Sequence, residues 1–463
     1  MQNRIKMLLL VTASLIGLFS CKETTQTAPQ GEYAATATAN VVLSVDTAVI
    51  GSHITVYNSA LEYKSGSTSN VSPATTPTAK NKGTASQGVA LTLLAETTAP
   101  TVNGLTLQAS DVAIKGDYAY VTYNYSGDTY AGALQVVDIS DEENPEVIQE
   151  ILFYDLELNV VYVKGSRLIA GGAANVTTRG FDSPAVLLST KLSKGKSVGT
   201  FTLVDLPSYA VTGLTAKGSN VYASVGDVDG GFARLELNKL ADFEESLDFY
   251  AYKDSRSIAI EGNLLGLLRG TDGAVSYFSI SNLEKIKTLS DSVPLGTATF
   301  TDTATITHSK ATIDLVGSVT LLALGDGGVK ITLSSAYDTS ELYALDQVTS
   351  YESLADTKTV TNASSADKNL LFRANGEAGV DLYQLSDDVR DITATATATK
   401  VGEIDFGSEI SANSVYYQKG FLFVASGLGG MKIIGVDRDT TSTDDETEDD
   451  ESEDKDEDDE YDD

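Results

Sequence analysis

The chain has 463 residues, a formal net charge of −33, one cysteine and two histidines. Nucleic-acid binding is disfavoured because the chain is acidic and has no basic stripe interleaved with aromatic residues. The scarcity of His and Cys also argues against a His-rich metal site, a Ser/His/Asp triad and thiol chemistry.

Residues 1–20 have the composition of a secretion signal. Arg4 and Lys6 precede an apolar stretch over residues 7–19, which is too short to span a bilayer. The stretch ends in LFSC at residues 18–21, which resembles the lipobox of bacterial lipoproteins, although Phe19 is bulkier than usual. The resemblance implies cleavage before Cys21 and lipidation of its thiol. The alternative is a free thiol after an ordinary cleaved signal.

Lys22 and Glu23 follow the cysteine, and no Asp occupies the second mature position. This resembles the sequence that directs some lipoproteins to the outer face of the outer membrane. We therefore expect a lipid-anchored protein of the cell envelope, in the outer membrane, with surface exposure as the further hypothesis. We expect the protein to be a monomer that contacts the membrane through its lipid.

Residues 21–88 are rich in Thr, Ala, Ser and Gly, and 64–88 show no apolar periodicity. Such a composition predicts a flexible stalk. Two short apolar runs, at 41–45 and 54–57, are candidate strands within it, and His53 also lies there.

Residues 89–437 contain an internal repeat of short alternating strands separated by Gly-rich turns. Seven copies are recognised by their first turns, with spacings of 49, 53, 44, 55, 50 and 53 residues between Gly116, Gly165, Gly218, Gly262, Gly317, Asp367 and Gly420. A period near 50 with three or four strands per copy is typical of a β-propeller blade. The sequence therefore predicts an all-β fold, a seven-bladed β-propeller. A pair of β-sandwiches is the alternative, but it does not explain seven copies.

The ring needs a closing strand, because the seventh copy ends at Asp437 after three strands. The apolar segment VALTLLA at 89–95 lies upstream of the first copy and belongs to no blade. We predict that it forms the outer strand of the last blade and covers an exposed edge.

The segment GALQVVDISDEENPE at 132–146 resembles the LVIVD repeat, and 371–385 and 421–437 look like further members. The central copies depart from the pattern, since blade two lacks the Asp-Ile-Ser ending. The resemblance implies a propeller in a secreted or envelope-bound protein. It implies no catalytic residues, because the family has no agreed set.

Carboxylates in Gly-rich turns are the candidate site residues: Asp227 and Asp229 in one turn, and Asp326 in another. Such oxygens can bind Ca²⁺, but neither turn has the EF-hand ligand spacing, and Asp and Gly also favour hairpin turns for conformational reasons. Ca²⁺ is thus the one candidate cofactor. His308 is interpreted as a strand residue. Four arginines either line one end of the channel or lie exposed on strands: Arg179, Arg256, Arg269 and Arg373.

The C-terminal segment, 438–463, is strongly acidic. From Asp437 onward it holds 18 acidic residues against Arg438 and Lys455. Such a run repels itself and cannot bury a core, so it is predicted to be disordered. It either solubilises the protein or binds divalent cations or a basic partner.

Two functional hypotheses remain from the sequence. The first is a non-catalytic module in which loops at one mouth of the propeller bind an envelope protein or a glycan. The second is a metal-assisted hydrolase or lyase that uses carboxylates at the channel. Acidic residues converging at the channel mouth would favour the enzyme, and a lining of Thr, Ala and Val would favour the binding module.

Overall fold

The structure is a computed structural model. It describes residues 23–27, 40–60, 89–226, 229–239, 247–270, 275–283, 285–289, 310–317, 319–325, 328–333, 360–392, 396–407 and 409–438. Cys21, Asp227, His308, Asp326 and the acidic segment after Arg438 lie outside these residues. Within them, no helix is long and apolar enough to cross a membrane.

The N-terminal part of the described chain contains six strands and two short helical turns. The strands are β1 Glu23–Thr27, β2 Val41–Ser44, β3 Ile54–Ala60, β4 Val89–Thr97, β5 Thr101–Val102 and β6 Leu105–Thr106. Helix α1 spans Thr47–Ile50 and a 3-10 turn spans Gly51–His53.

The next three repeats form the first three blades. Blade 1 contains β7 Gln108–Lys115, β8 Tyr118–Asn124, β9 Gly132–Asp138 and β10 Glu146–Phe153. Blade 2 contains β11 Leu156–Lys164, β12 Arg167–Ala174, α2 Val176–Arg179, β13 Ala185–Ser193 and β14 Lys196–Asp205. Blade 3 contains β15 Ala210–Lys217, β16 Asn220–Gly226, β17 Gly231–Glu236, a 3-10 turn Leu237–Lys239 and β18 Asp248–Ala251.

The last four repeats form blades 4 to 7. Blade 4 contains β19 Ser255–Glu261, β20 Leu264–Arg269, β21 Val275–Ser279 and β22 Lys285–Leu289. Blade 5 contains β23 Ile313–Val316, β24 Val319–Ala323 and β25 Val329–Leu333 among the described residues. Blade 6 contains β26 Ala363–Asp367, β27 Leu370–Ala374, β28 Val380–Leu385, a 3-10 turn Val389–Asp391 and β29 Ala398–Ile404. Blade 7 contains β30 Ser414–Gln418, β31 Phe421–Ala425 and β32 Met431–Arg438.

Each blade is one antiparallel sheet in which the strands follow chain order from the axis outwards. The seven sheets confirm the predicted seven-bladed propeller. The buried apolar side chains of the described residues form seven clusters, one between each pair of consecutive blades, including blades 7 and 1. A single blade has two apolar faces, so only a closed ring buries both faces of all seven.

Ring closure occurs as predicted. β4 pairs antiparallel with β32, in a register that places Leu91 opposite Val436 and Leu93 opposite Ile434. Leu91 and Leu93 are buried, and Glu96 forms an ion pair with Lys432. β4 is not the edge of blade 7, however, because β3 pairs along its outer side.

The described parts of the predicted stalk are not free of the propeller, which corrects the boundary of 21–88. β1, β2 and β3 add to the outer edges of blades 2, 1 and 7. Ile50 of α1 is 1% exposed and packs in the cluster between blades 7 and 1. These short runs form strands because a blade edge supplies backbone partners that the segment itself lacks.

The first turn of each blade has a residue with positive φ, as expected of tight hairpins. Gly116, Gly165, Gly218, Gly262 and Gly317 occupy this position in blades 1 to 5. In blade 6 the residue is Lys368 rather than Asp367, and in blade 7 both Lys419 and Gly420 have positive φ. Without a Gly in blade 6, the sequence placed that turn one residue early.

Candidate functional site

The innermost strands of the blades begin around a cavity on the propeller axis. Its volume is about 560 Å³, within the range of ligand sites. All seven blades contribute to its lining, which consists of Gln108, Ser110, Asn124, Tyr125, Ser126, Asn159, Thr212, Arg256, Lys310, Val360, Asn362, Glu377, Ser411 and Asn413. We call the face on which the innermost strands begin the cavity face, and the opposite face, where their first hairpins lie, the hairpin face.

β-Bulges turn side chains toward this cavity in the first four blades. The strand register shifts at Ser110, Asn159, Thr212 and Arg256, so each of these residues is the extra residue of its innermost strand. A bulge re-aims a side chain without ending the strand. Asn362 and Asn413 occupy the equivalent place in blades 6 and 7, six residues before the left-handed turn residues Lys368 and Lys419.

Most of these equivalent side chains hydrogen-bond the next blade. Ser110 Oγ donates to Leu158 O (2.7 Å), and Asn159 Nδ2 donates to Val211 O (3.3 Å). Asn362 Nδ2 donates to Ala412 O (3.0 Å) and Asn413 Nδ2 donates to Ala109 O (2.9 Å), which joins blade 7 to blade 1. Each acceptor is the backbone carbonyl of the residue that directly precedes, in sequence, the equivalent polar residue of the next blade. These amides and hydroxyls therefore hold the ring together.

An ion pair crosses the channel beside the cavity. Lys310 Nζ, from the connection to blade 5, lies 2.9 Å from Asp111 Oδ1 of blade 1 and donates to Ser110 O (3.0 Å). The same Asp111 oxygen accepts from Ser414 Oγ (2.7 Å), and Oδ2 accepts from the amide of Val161 (3.0 Å). Both charges are thus neutralised and hydrogen-bonded.

A second group of lining residues takes no part in the hydrogen bonds between blades. The side chains of Gln108, Tyr125 and Ser126 make no hydrogen bond to any described residue, although each has a donor and an acceptor. Arg256 and Glu377 add one cation and one carboxylate. The lining can therefore offer amide, phenol and hydroxyl groups to a ligand without breaking the bonds between blades.

The lining contains no histidine, and its one carboxylate is Glu377. Nowhere in the described chain do three His, Cys, Asp or Glu residues converge as metal ligands. Of the predicted calcium-site residues, Asp229 is exposed in its turn. Its predicted partners, Asp227 and Asp326, fall outside the described residues.

Gly-x-x-Gly turns make contacts between blades that were not predicted from the sequence. Gly325, Gly376 and Gly427 each exchange a pair of backbone hydrogen bonds with Thr361, Ala412 and Ala109 of the following blade. The second glycines have positive φ, and a Cβ at Gly379 would lie 1.9 Å from Ile404 O. Their glycines thus have a conformational role. The signal was the recurrence of this spacing in three successive repeats.

The four arginines do not form a ring at the channel mouth. Arg256 lines the cavity, whereas Arg179 and Arg373 are buried in ion pairs with Asp155 and Asp381. The alternative expectation, that the arginines are exposed on strands, is wrong for Arg179 and Arg373. A buried guanidinium requires a carboxylate partner. Asp155 lies in the connection between β10 and β11, apart from the helix that holds Arg179, and Asp381 lies opposite Arg373 on the neighbouring strand, so both pairings depend on how the strands are placed.

His53 is not part of a free stalk. Its Nδ1 lies 2.9 Å from Glu150 Oε2, which also accepts from Gln135 Nε2 (2.9 Å). Gln135 Oε1 accepts from the hydroxyl of Tyr123, which hydrogen-bonds Thr97. This buried network ties the N-terminal segment to blade 1 and to the closing strand β4.

Glu157, at the start of β11, gives a testable pH dependence. Burial raises the pKa of its carboxyl to about 7. The folded protein then holds a proton between roughly pH 4.5 and 7 that the unfolded chain has released, so the free energy of unfolding falls as the pH rises through this window. Glu157→Gln should melt at a higher temperature than the wild type at pH 8 and at the same temperature at pH 4.

The matched control is Glu146→Gln, which removes the same charge from an exposed site. It should not reproduce the pH-dependent difference in melting temperature. Equal shifts from the two substitutions would show that Glu157 carries no proton of its own in this window.

Comparison with solved structures finds matches of low sequence identity, among them two β-propeller domains. The β-propeller domain of Cps50 (Swd1) from Myceliophteria thermophila is 10% identical, with a TM-score of 0.48, and the match covers 73% of this chain and 99% of that one. The WD40 β-propeller domain of Doa1 is 13% identical, with a TM-score of 0.46, covering 73% and 96%. Virginiamycin B lyase from Staphylococcus aureus, solved with quinupristin, is 9% identical, with a TM-score of 0.48, covering 75% and 99%.

No family model matches the sequence, and no curated protein matches it. The resemblance to the LVIVD repeat therefore stays a prediction. Seven sheets, seven interblade clusters and the closing strand establish the architecture from the chain itself. The chain is an all-β protein that forms a seven-bladed β-propeller.

Proposed function

We propose that this protein is an envelope-anchored lipoprotein whose propeller binds a protein or glycan ligand in the axial cavity without catalysing a reaction. The observation that carries the proposal is the division of the cavity lining. One group of polar side chains joins the blades, and a second group, Gln108, Tyr125 and Ser126, makes no hydrogen bond to any residue that the structure describes. A rigid ring that presents unused polar groups in a concave site is suited to recognition.

The chemistry of the lining favours binding over hydrolysis. An enzyme that uses carboxylates needs two acidic groups or a metal close to the substrate. Glu377 is the acidic residue of the lining, and Asp111 is neutralised by Lys310. The lining is richer in Asn and Ser than in the Thr, Ala and Val that we had associated with a binding module, so the polar groups indicate a hydrogen-bonding ligand.

The charge of the lining supports a ligand with little net charge. Arg256 and Glu377 contribute opposite charges, and the remaining lining side chains outside the Lys310 ion pair are neutral. A glycan or a polypeptide loop presents the hydroxyl or amide groups that such a surface can pair. Tyr125 adds an aromatic ring that can pack against the apolar face of a sugar or a side chain.

The anchor is proposed from the sequence. Lipidation at Cys21 would attach the propeller to the envelope and concentrate the cavity at the membrane surface. The resemblance to the LVIVD repeat supports the same location. In this arrangement the partners are the membrane, through the lipid, and the ligand of the cavity.

Binding can be tested with panels of neutral oligosaccharides and peptides, followed by calorimetry on those that bind. Gln108→Ala should weaken binding of a cavity ligand about tenfold, since it removes hydrogen bonds worth roughly 1–1.5 kcal/mol. Gln418→Ala makes the same change at an exposed position on the hairpin face and should leave affinity unchanged. Equal affinities for Gln108→Ala and wild type would place the ligand elsewhere, and product formation from a bound saccharide would contradict the non-catalytic proposal.

A further inference from the structure

Blade 2 carries a row of cations on the hairpin face. Lys164 lies opposite Arg167 in the register of β11 and β12, and Arg167 lies opposite Lys191 in the register of β12 and β13. Like charges directly opposite each other on neighbouring strands are destabilising. An anion bound to this row would relieve the repulsion.

Three more lysines extend this row. Lys194 and Lys196 lie in the β13–β14 hairpin, at the same end of the sheet. Lys217 ends β15 of the next blade, directly after Ala216, whose backbone hydrogen-bonds Tyr162 of β11. We define the cationic patch as Lys164, Arg167, Lys191, Lys194, Lys196 and Lys217.

The patch has no acidic partner among the described residues. None of its six side chains is in an ion pair, and Arg167 donates only to the hydroxyl of Ser189 (3.1 Å). Yet the chain has 65 acidic residues and 32 basic ones. Six cations without a carboxylate partner are therefore unexpected in a protein with a twofold excess of carboxylates.

The acidic C-terminal segment begins on the same face. β32 ends at Arg438. Its last residues lie at the same end of blade 7 as the Gln418–Phe421 hairpin. This hairpin is equivalent to the Lys164–Arg167 hairpin of blade 2. Residues 439–463 contain 17 acidic residues and one lysine. A polypeptide of 25 residues spans about 25–30 Å end to end as a random coil and about 80 Å when fully extended. This is sufficient to pass blade 1 and reach blade 2.

We propose that residues 439–463 bind the cationic patch of the same chain. The segment supplies the carboxylates that the patch lacks, and attachment to blade 7 gives it an effective concentration near the millimolar range. Because the patch lies at the protein surface, the strength of the contact depends on ionic strength. A bound segment would also keep other polyanions from the patch, so anything that occupies its carboxylates, such as a divalent cation, would uncover the patch.

Carbodiimide cross-linking tests the contact, because it joins a lysine amine only to a carboxylate that touches it. At low ionic strength, mass spectrometry of the full chain should find links from Lys191, Lys194 and Lys196 to residues 439–463. At about 1 M salt, where screening acts over roughly 3 Å, these links should be lost. Links spread evenly over all exposed lysines would overturn the proposal. So would links found only between chains in a mixture of isotopically labelled and unlabelled protein.

Charge reversal provides an independent measurement. The full chain should pass a heparin column unretained. A chain lacking 439–463 should be retained, and the Lys191→Glu, Lys196→Glu double variant of the shortened chain should lose that retention. The matched control reverses Lys239 and Lys253, exposed lysines that pair with Glu236 and Asp254, and should leave retention unchanged. Equal retention of the full and shortened chains would overturn the proposal even if a variant folded poorly.

Discussion

Deletion of residues 88–98 is expected to abolish cooperative folding of the whole propeller. β4 lies between β32 and β3, so its loss exposes the edge of β32 and leaves β3 without its partner strand. It also removes the side chains of Leu91 and Leu93, both 3% exposed or less, from the interface between blades 6 and 7. Thermal unfolding followed by circular dichroism measures the effect.

Point substitutions separate this effect from a general effect of deletion. Leu93→Ala should lower the free energy of unfolding by about 2–5 kcal/mol, as is usual for a buried leucine. Val56→Ala in β3 removes an exposed side chain of the same sheet, which is 37% exposed, and should cost less than about 1 kcal/mol. A melting temperature that survives the deletion would show that another segment closes the ring.

Replacement of Asp381 by Asn should destabilise blade 6 strongly. Asp381 is buried between Arg373, Lys400 and the amide of Asn375, and Lys400 Nζ lies 2.7 Å from its Oδ1. The substitution removes the carboxylate that pairs with the guanidinium of Arg373, which is only 4% exposed. Removal of one partner from such a buried pair costs about 3–5 kcal/mol. Urea denaturation gives the change directly.

The same ion pair predicts a dependence on acid. Burial alone would raise the pKa of Asp381, but Arg373 and Lys400 more than offset it, so its pKa lies below the ordinary value. The stabilisation is therefore present above about pH 4, where the unfolded carboxyl is also ionised, and is lost as the pH falls through the folded pKa. Asp381→Asn should lack this component of acid destabilisation.

A double replacement separates the effect of an unpaired buried charge from the effect of lost hydrogen bonds. Arg373→Met combined with Asp381→Leu removes both buried charges and should recover much of the stability lost by Asp381→Asn. If the double variant is less stable than the single one, the hydrogen bonds to Asn375 and Tyr383 matter more than the charges.

The sequence by itself determined the architecture of this protein. Seven turns at a period near 50 residues predicted a repeated blade, and an unassigned apolar strand upstream of a three-stranded last copy predicted closure by residues 89–95. Both inferences depend on local signals, namely alternating apolar residues and turn glycines, which the fold does not alter. The turn glycine is missing in blade 6, where Lys368 has the left-handed conformation, and the sequence therefore placed that turn one residue early.

Only the tertiary structure determined which residues form the candidate site and where the N-terminal strands pair. Ser110, Asn159, Asn362 and Asn413 are about 50 residues apart or more, and each looks like an ordinary polar strand residue until the bulges and the ring bring them to one axis. The strands at 41–44 and 54–60 form because blade edges need partners, and the cationic row exists only in the strand register of blade 2. Residues that act together across blades leave no local pattern, since the distance between them is set by the packing of the ring.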